Sequence, residues 1–265
     1  MRSGAVHRLC RISAALLILL TGCSADNRVL EEVVEKVHTI EPNANVSIQN
    51  RDGAILIYGS DDTEMQVRCI KRAYSHERLN QIAIDISTKP GAASIVTEFP
   101  PQPEWAFSDR SGTVDYTVVV PTTATISALD LNVGEVLLES MRGPEVRARL
   151  GDGRIFVRNC FTNLDLTMKR GTLNLGYDWW EQGKFSAHVN VGQGNAWIFL
   201  PTEAAFHLLA CAGHGKIAND FNNVPLTANS SAPAMKIDQI INGGGEATIE
   251  IQVDKGNIKI AEANP

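Results

Sequence analysis

Aromatic residues, basic charge and long hydrophobic runs are all scarce in this sequence. Aromatic residues account for 6% of the 265 positions, which suits short strands and tight turns. Basic residues number 24 against 30 acidic ones, so the net charge is −6 and argues against a nucleic-acid partner. The apolar run at residues 12–20 is nine residues long, whereas a membrane-spanning helix needs about 20. The hydrophobic content of 44% is still enough for one large core.

The first 22 residues have the pattern of a secretion signal. Arginines precede the apolar run, and Leu20-Thr21-Gly22-Cys23 follows it. These four residues resemble the lipobox of bacterial lipoproteins, which implies cleavage before Cys23 and its acylation. We therefore expect residues 1–22 to be removed and lipid on Cys23 to anchor the protein to a membrane. Ser24 resembles an outer-membrane sorting signal. The alternative is an ordinary cleaved signal with a chance cysteine.

A charged segment and an irregular β-rich region follow the signal. Residues 23–44 carry several glutamates, and we expect a tether there that begins as a helix or as a first edge strand. Alternating apolar and polar residues predict an N-terminal β half over residues 45–121. A proline-rich loop at 100–112 contains Trp105 and Phe107.

From residue 129 to 200 the sequence repeats two short strands around a glycine. The glycines stand 19, 18 and 23 residues apart, and a glycine allows the positive φ that a tight corner needs. Apolar residues occur five and three positions before each glycine, and two and four positions after it. Such alternation buries one face of each strand. The corner glycines are Gly134, Gly153, Gly171 and Gly194, with similar frames at Gly53, Gly215 and Gly256.

Repeats of this length are typical of stacked coils, in which each coil covers the apolar face of its neighbour. The predicted fold is therefore all-β: a single-stack β-solenoid of short strands with glycine corners over residues 122–262, after the irregular N-terminal half. The segment 219–245 breaks the repeat, and we expect the last strand pair, 247–260, to close the end of the stack.

The order of these features is similar to a known family. It comprises the lipoprotein signal, a strand at 53–59, a Val118-Val119-Val120-Pro121 strand, the glycine-cornered coils and the closing strand at 256–260. Together they resemble the adhesin-like β-solenoid domain of unknown function found in bacterial envelope lipoproteins. The resemblance covers about residues 45–262 and implies the fold and an envelope location. That family supplies no catalytic residues.

One polar row is the only enzyme-like arrangement in the sequence. Arg147, Asp165 and His188 occupy the sixth position before three successive corner glycines, and Ser186 lies two residues before His188. They suggest either a hydrolase of the Ser-His-Asp type or a solvated ladder of charges on neighbouring strands. No nucleophile elbow or oxyanion hole accompanies them, so we predict no catalytic residues and no enzyme activity.

Histidine and cysteine residues give no sign of a metal or cofactor. The histidine spacings match no metal-binding motif. After Cys23, three cysteines remain in the mature chain: Cys69, Cys160 and Cys211. Cys160 is expected in the core, and Cys211 in an outward position where its thiol is the one most open to reaction.

The third position after each corner glycine should face solvent, yet it holds large apolar side chains. In order it reads Leu137, Phe156, Asn174, Trp197 and Ala218. Tyr177, Trp179, Trp180 and Phe199 are close in sequence. Exposed Trp and Tyr favour interfaces, unless another part of the chain covers them. We predict a non-enzymatic, lipid-anchored envelope protein. Its candidate partner-binding residues are Phe156, Asn174, Trp197, Phe199, Trp179 and Trp180. The partner is a protein or a glycan, and a purely structural spacer is the alternative.

Overall fold

The computed structural model describes residues 28–101, 112–221 and 235–263. Within these ranges the protein is all-β, with 15 strands and one helix of six residues. The signal segment, Cys23, Trp105 and Phe107 lie outside the described residues. The helix α1 (His76–Gln81) begins after Ser75, whose side chain accepts a hydrogen bond from the backbone N–H of Arg78.

The strands differ in length, and the longest contain the corner glycines. They are β1 (Leu30–Thr39), β2 (Asn45–Ser60), β3 (Glu64–Ala73), β4 (Ala83–Lys89), β5 (Ala92–Glu98), β6 (Thr113–Pro121), β7 (Thr125–Glu139), β8 (Glu145–Arg158), β9 (Asn163–Gly176), β10 (Ser186–Leu200), β11 (Phe206–His214), β12 (Ile217–Asn219), β13 (Met235–Ile241), β14 (Thr248–Lys255) and β15 (Ile258–Glu262).

All strands belong to one open, mixed sheet. Its order is β1-β3-β6-β2-β7-β8-β9-β10-β14-β11-β13, with β15 and β12 continuing the rows of β14 and β11. From β2 through β10 and β14 to β11 the pairing is parallel. The two ends are antiparallel, where β1 pairs with β3 and β13 pairs with β11.

The corner glycines lie directly on top of one another and form a glycine column. In stacking order it contains Gly53, Gly134, Gly153, Gly171, Gly194, Gly256 and Gly215. At Gly194 φ is +140°, and a Cβ atom would lie 1.7 Å from the carbonyl oxygen of Gly171. No side chain fits into that distance, so glycine is required both by the backbone angle and by the close approach of the next coil.

The core lies on the inner side of each corner and confirms the predicted register. Around Gly134, Gly153, Gly171 and Gly194, the second and fourth residues after each glycine and the third and fifth before it are at most 3% exposed. Side chains on both arms of a bent strand therefore pack into one continuous apolar interior. The 16 residues at the four central corners are Leu129, Leu131, Val136, Leu138, Ala148, Leu150, Ile155, Val157, Leu166, Met168, Leu173, Leu175, Val189, Val191, Ala196 and Ile198.

Ten residues of the charged segment before residue 45 belong to the sheet. Residues 30–39 form the edge strand β1, one of the two structures that the sequence suggested, so the tether predicted over 23–44 does not extend across the whole segment. Its glutamates lie directly opposite basic residues of β3. The pairs are Glu31–Arg72 at 2.6 Å, Glu32–Lys71 at 2.8 Å and Glu35–Arg68 at 3.0 Å.

The last strand pair does not close the stack, contrary to the prediction. Strands β14 and β15 insert between β10 on one side and β11 and β12 on the other. The segment 219–245 also contains β13, which pairs antiparallel with β11 and forms the outer edge. Each of these strands has a glycine and apolar residues at matching positions. A strand can therefore pair in register with any of the others, whatever their order in the chain.

Candidate functional site

Four residues of the outward row lie side by side on adjacent strands. We call Leu137, Phe156, Asn174 and Trp197 the aromatic column. Phe156 is opposite both Leu137 and Asn174, and Trp197 is opposite Asn174. The structure therefore confirms that these residues share one face. It differs at the far end, where Lys259 of the inserted β15 stands between Trp197 and Ala218.

The aromatic column is open to solvent at Trp197. The Trp197 side chain is 41% exposed, while Phe156 is half-buried. Arg154 extends along the same face, with its guanidinium carbon 5.9 Å from the centre of the Phe156 ring. Its guanidinium also pairs with Glu135 at 3.0 Å. Tryptophan is among the residues most enriched where binding energy is concentrated at protein interfaces.

Phe199 borders the column beside a gap left by a glycine. Phe199 is directly opposite Gly176, and Gly176 is opposite Arg158 on the next strand. Gly176 has no left-handed backbone angle, and a Cβ atom there would meet only the Val157 carbonyl oxygen, at 3.9 Å. The backbone does not require glycine here. Because Gly176 has no side chain, the outward face of the sheet has a gap between Phe199 and Arg158.

Trp179 and Trp180 lie outside this column, which corrects their grouping with it. Both belong to the loop between β9 and β10. The ring of Trp180 is 5.5 Å from those of Tyr177 and Phe185 and 5.7 Å from that of Phe206, so it packs against the core. Its role is therefore in packing. The two tryptophans are near the column in sequence but do not belong to it in the structure.

Trp179 is exposed but is held by its own loop. Its Nε1 donates a hydrogen bond to Glu181 at 2.7 Å, and its ring lies 5.9 Å from Phe161. Arg142 donates two hydrogen bonds to the same carboxylate, at 2.6 and 2.7 Å. Hydrogen bonds from Arg142, with a smaller effect from Trp179, lower the pKa of Glu181 to about 2. The carboxylate therefore remains charged and fixes this tryptophan near neutral pH.

The enzyme-like polar row lies on three adjacent strands, and Arg147 pairs with Glu145 of its own strand at 2.8 Å. Asp165 is opposite both Arg147 and His188, as predicted. The imidazole, however, pairs with Glu250 of the inserted strand β14, at 2.9 Å. The Ser186 hydroxyl lies 3.1 Å from Asn163 Oδ1, and both its backbone N–H and its hydroxyl bond to that oxygen. Serine and histidine are thus engaged separately, and the row supplies no activated nucleophile.

The three described cysteines are free thiols. Cys160 is fully buried in the core, as predicted, and burial raises its thiol pKa to about 12. Burial likewise raises the pKa of Cys69 to about 11, whereas Cys211 is half-buried. Over residues 28–101, 112–221 and 235–263, no three His, Cys, Asp or Glu side chains come together as metal ligands. The helix in these ranges is too short to cross a membrane.

Next to Trp197 the structure adds polar residues that sequence reasoning missed. Asn195 and Asn257 follow two corner glycines, and Lys216 follows a third. Asn195 Oδ1 accepts a hydrogen bond from the backbone N–H of Asn257 at 3.0 Å, and Asn257 Oδ1 accepts one from the backbone N–H of Lys216 at 3.0 Å. The repeated Gly-Asn pair was the available signal. Its meaning depends on the strand order, which brings these residues together.

Comparisons with known proteins give weak similarities. No protein-family model and no curated protein matches the chain. A solved structure from Clostridium sporogenes ATCC 15579, a proposed cell adhesion protein, is 16% identical with a TM-score of 0.49, and the match covers 88% of this chain and 100% of that one. Proposed adhesins from Bacteroides fragilis NCTC 9343 and Parabacteroides distasonis ATCC 8503 are 8% and 12% identical, with TM-scores of 0.28 and 0.29. Each covers 87% of this chain and 97% of its own. Scores below 0.5 carry no argument about function.

Proposed function

We propose that this protein is a non-enzymatic component of the bacterial envelope whose glycine-cornered coils form a β-solenoid that presents a rigid surface to a partner. The observation that carries the proposal is the aromatic column, with Trp197 exposed on a face of stacked strands. The partner is a protein or a glycan.

The physical argument is preorganisation. Trp197 lies in β10, three residues before its end, and the backbone there is paired with β9 on one side and β15 on the other. A side chain on such a strand loses little conformational freedom when a partner binds, so more of the contact energy remains as affinity. An indole combines a large apolar face with one hydrogen-bond donor, which suits both protein and carbohydrate surfaces. Asn174, between the two rings, adds a polar group at the same level.

We also propose that lipid on Cys23 anchors the protein to a membrane, the outer membrane being the location that Ser24 favours. The support is the lipobox resemblance in the sequence. The mature protein should therefore begin at Cys23 and carry acyl chains, which intact-mass measurement of material from membranes will reveal. An unmodified Cys23, or a different N-terminal residue, would remove the anchor from the proposal.

The surface is tested by replacing one exposed tryptophan and keeping another. Trp197→Ala should abolish capture of the partner from envelope extract and leave the melting temperature nearly unchanged. Trp179→Ala is the matched control, because the two side chains are 41% and 43% exposed. Trp179 lies outside the aromatic column, so its variant should retain capture. Equal capture by wild type and Trp197→Ala, or a large drop in the melting temperature of Trp197→Ala, would count against the proposed surface.

A further inference from the structure

Around Trp197 lies a group of side chains that offer hydrogen-bond donors. We call Asn195, Trp197, Lys216, Asn257 and Lys259 the donor patch. They occupy the first and third positions after the corner glycines of three adjacent coils. Trp197, Lys216, Asn257 and Lys259 are exposed, and Asn195 is half-buried.

The two asparagines offer NH₂ donors, while each of their amide oxygens already accepts one backbone hydrogen bond. Each amide oxygen accepts the backbone N–H of the next coil, at 3.0 Å in both cases. An amide has one oxygen and one NH₂ group, so the NH₂ remains for a ligand. Among the described residues, neither NH₂ group has a hydrogen-bond partner, and neither Lys216 nor Lys259 has an ion-pair partner. The patch thus offers two amide NH₂ groups, two ammonium groups and one indole N–H.

The charge of the patch is opposite to that of the whole chain. The protein carries a net charge of −6. Yet the first and third positions after Gly171, Gly194, Gly256 and Gly215 contain two lysines and no carboxylate. These eight residues are Thr172, Asn174, Asn195, Trp197, Asn257, Lys259, Lys216 and Ala218. A local excess of donors and positive charge favours a ligand rich in anionic and neutral oxygen acceptors.

We propose that the donor patch binds an acidic glycan, a polysaccharide that bears carboxylate groups. One sugar ring lies against the indole of Trp197, and the carboxylates accept hydrogen bonds from Lys216 and Lys259. Hydroxyl oxygens of neighbouring sugars accept from Asn195 and Asn257. Adjacent strands lie about 4.8 Å apart, so the donors follow an extended ligand at regular steps. This inference rests on the proposed binding surface and names its ligand class.

An acidic peptide fits the patch less well. A peptide backbone carries one N–H for each carbonyl, and bound N–H groups that lose water need acceptors. In the donor patch each asparagine oxygen already accepts one hydrogen bond, and the lysines and the indole have no acceptor at all. A carboxylated sugar presents many more acceptors relative to its obligatory donors. The balance of donors therefore favours the glycan.

The test compares charged and neutral polysaccharides on the full chain. Affinity electrophoresis and calorimetry should show binding to polygalacturonate and much weaker binding to dextran. Lys216→Gln combined with Lys259→Gln should weaken polygalacturonate binding by about tenfold or more, since two charge-assisted hydrogen bonds are lost. The same double variant should show a smaller decrease in affinity as salt is raised. Lys89→Gln combined with Lys184→Gln is the control, because it removes equal charge at exposed lysines of β4 and of the loop between β9 and β10, neither of which adjoins a patch residue.

Each result decides the inference. No binding of polygalacturonate by wild type, or an equal loss in the control variant, overturns it. Tighter binding of poly-glutamate than of polygalacturonate overturns it in favour of an acidic peptide. If polygalacturonate does not bind but Trp197→Ala still loses its partner from envelope extract, the binding surface stands and the acidic-glycan assignment falls.

Discussion

Replacing Gly171 by alanine tests whether the glycine column determines how closely the coils stack. Gly171 has φ of +136°, and a Cβ atom there would lie 1.9 Å from the carbonyl oxygen of Gly153. Ordinary van der Waals contact begins near 3.4 Å, so the two atoms must separate by about 1.5 Å. The substituted residue must also hold a backbone angle that L-amino acids rarely adopt.

Both effects lower stability. A side chain held in a sparsely populated backbone region costs about 1–3 kcal/mol. Strands pair at 4.7–4.9 Å, and separating them lengthens hydrogen bonds that weaken beyond about 3.2 Å. The loss of two such bonds costs about 1–3 kcal/mol more. We therefore expect Gly171→Ala to lower the free energy of unfolding by about 2–6 kcal/mol, a large part of the roughly 5–15 kcal/mol typical of a folded protein. Urea denaturation followed by circular dichroism measures this difference.

Gly176 provides the matched control in the same strand. Its backbone is not left-handed, and the nearest atom to an added Cβ is 3.9 Å away. Gly176→Ala should leave stability unchanged or raise it by about 0.4–1 kcal/mol, because alanine restricts the unfolded chain. If both alanine variants unfolded at the same urea concentration, close stacking at the glycine column would not be what the fold requires.

Two further predictions concern the core and the N-terminal edge. Leu166 is fully buried, so Leu166→Asp should unfold the protein, whereas its outward neighbour tolerates Thr167→Asp; equal thermal melts would contradict the register. Lys71 is 8% exposed and pairs with Glu32 at 2.8 Å. Glu32→Gln should therefore cost about 1–3 kcal/mol, and Glu35→Gln, which breaks an exposed pair, less than about 1 kcal/mol, as urea titration of both variants can show.

The sequence alone was enough to predict the strand register, because successive side chains of a strand point to opposite faces and only one face is buried. A shift of one residue would place Leu166 and Met168 in solvent, so alternation around each glycine leaves one acceptable alignment. The same logic placed Phe156, Asn174 and Trp197 on one face. Cys160 was assigned to the core on this basis as well, and the structure confirms it.

Features that depend on which coil is next to which could not be predicted. The packing of Trp180 against Phe206 joins a loop to a strand that follows it only later in the chain. Residues 30–39 combine charged residues that suit a helix with valines that suit a strand. They form a strand in the structure, where their glutamates pair with basic residues of β3. Tertiary contacts of this kind override local preference.

The strand order has its largest consequence at the donor patch. If coils had stacked in chain order, Trp197 would lie beside Ala218, and Asn195 beside Lys216. Insertion of β15 instead places Lys259 beside Trp197, and Asn257 between Asn195 and Lys216. Three separate segments therefore supply one surface, and the hydrogen bonds that hold the inserted coil are made by the amides whose NH₂ groups remain for a ligand. The insertion of the C-terminal strand pair is therefore what places the amide and ammonium donors beside Trp197.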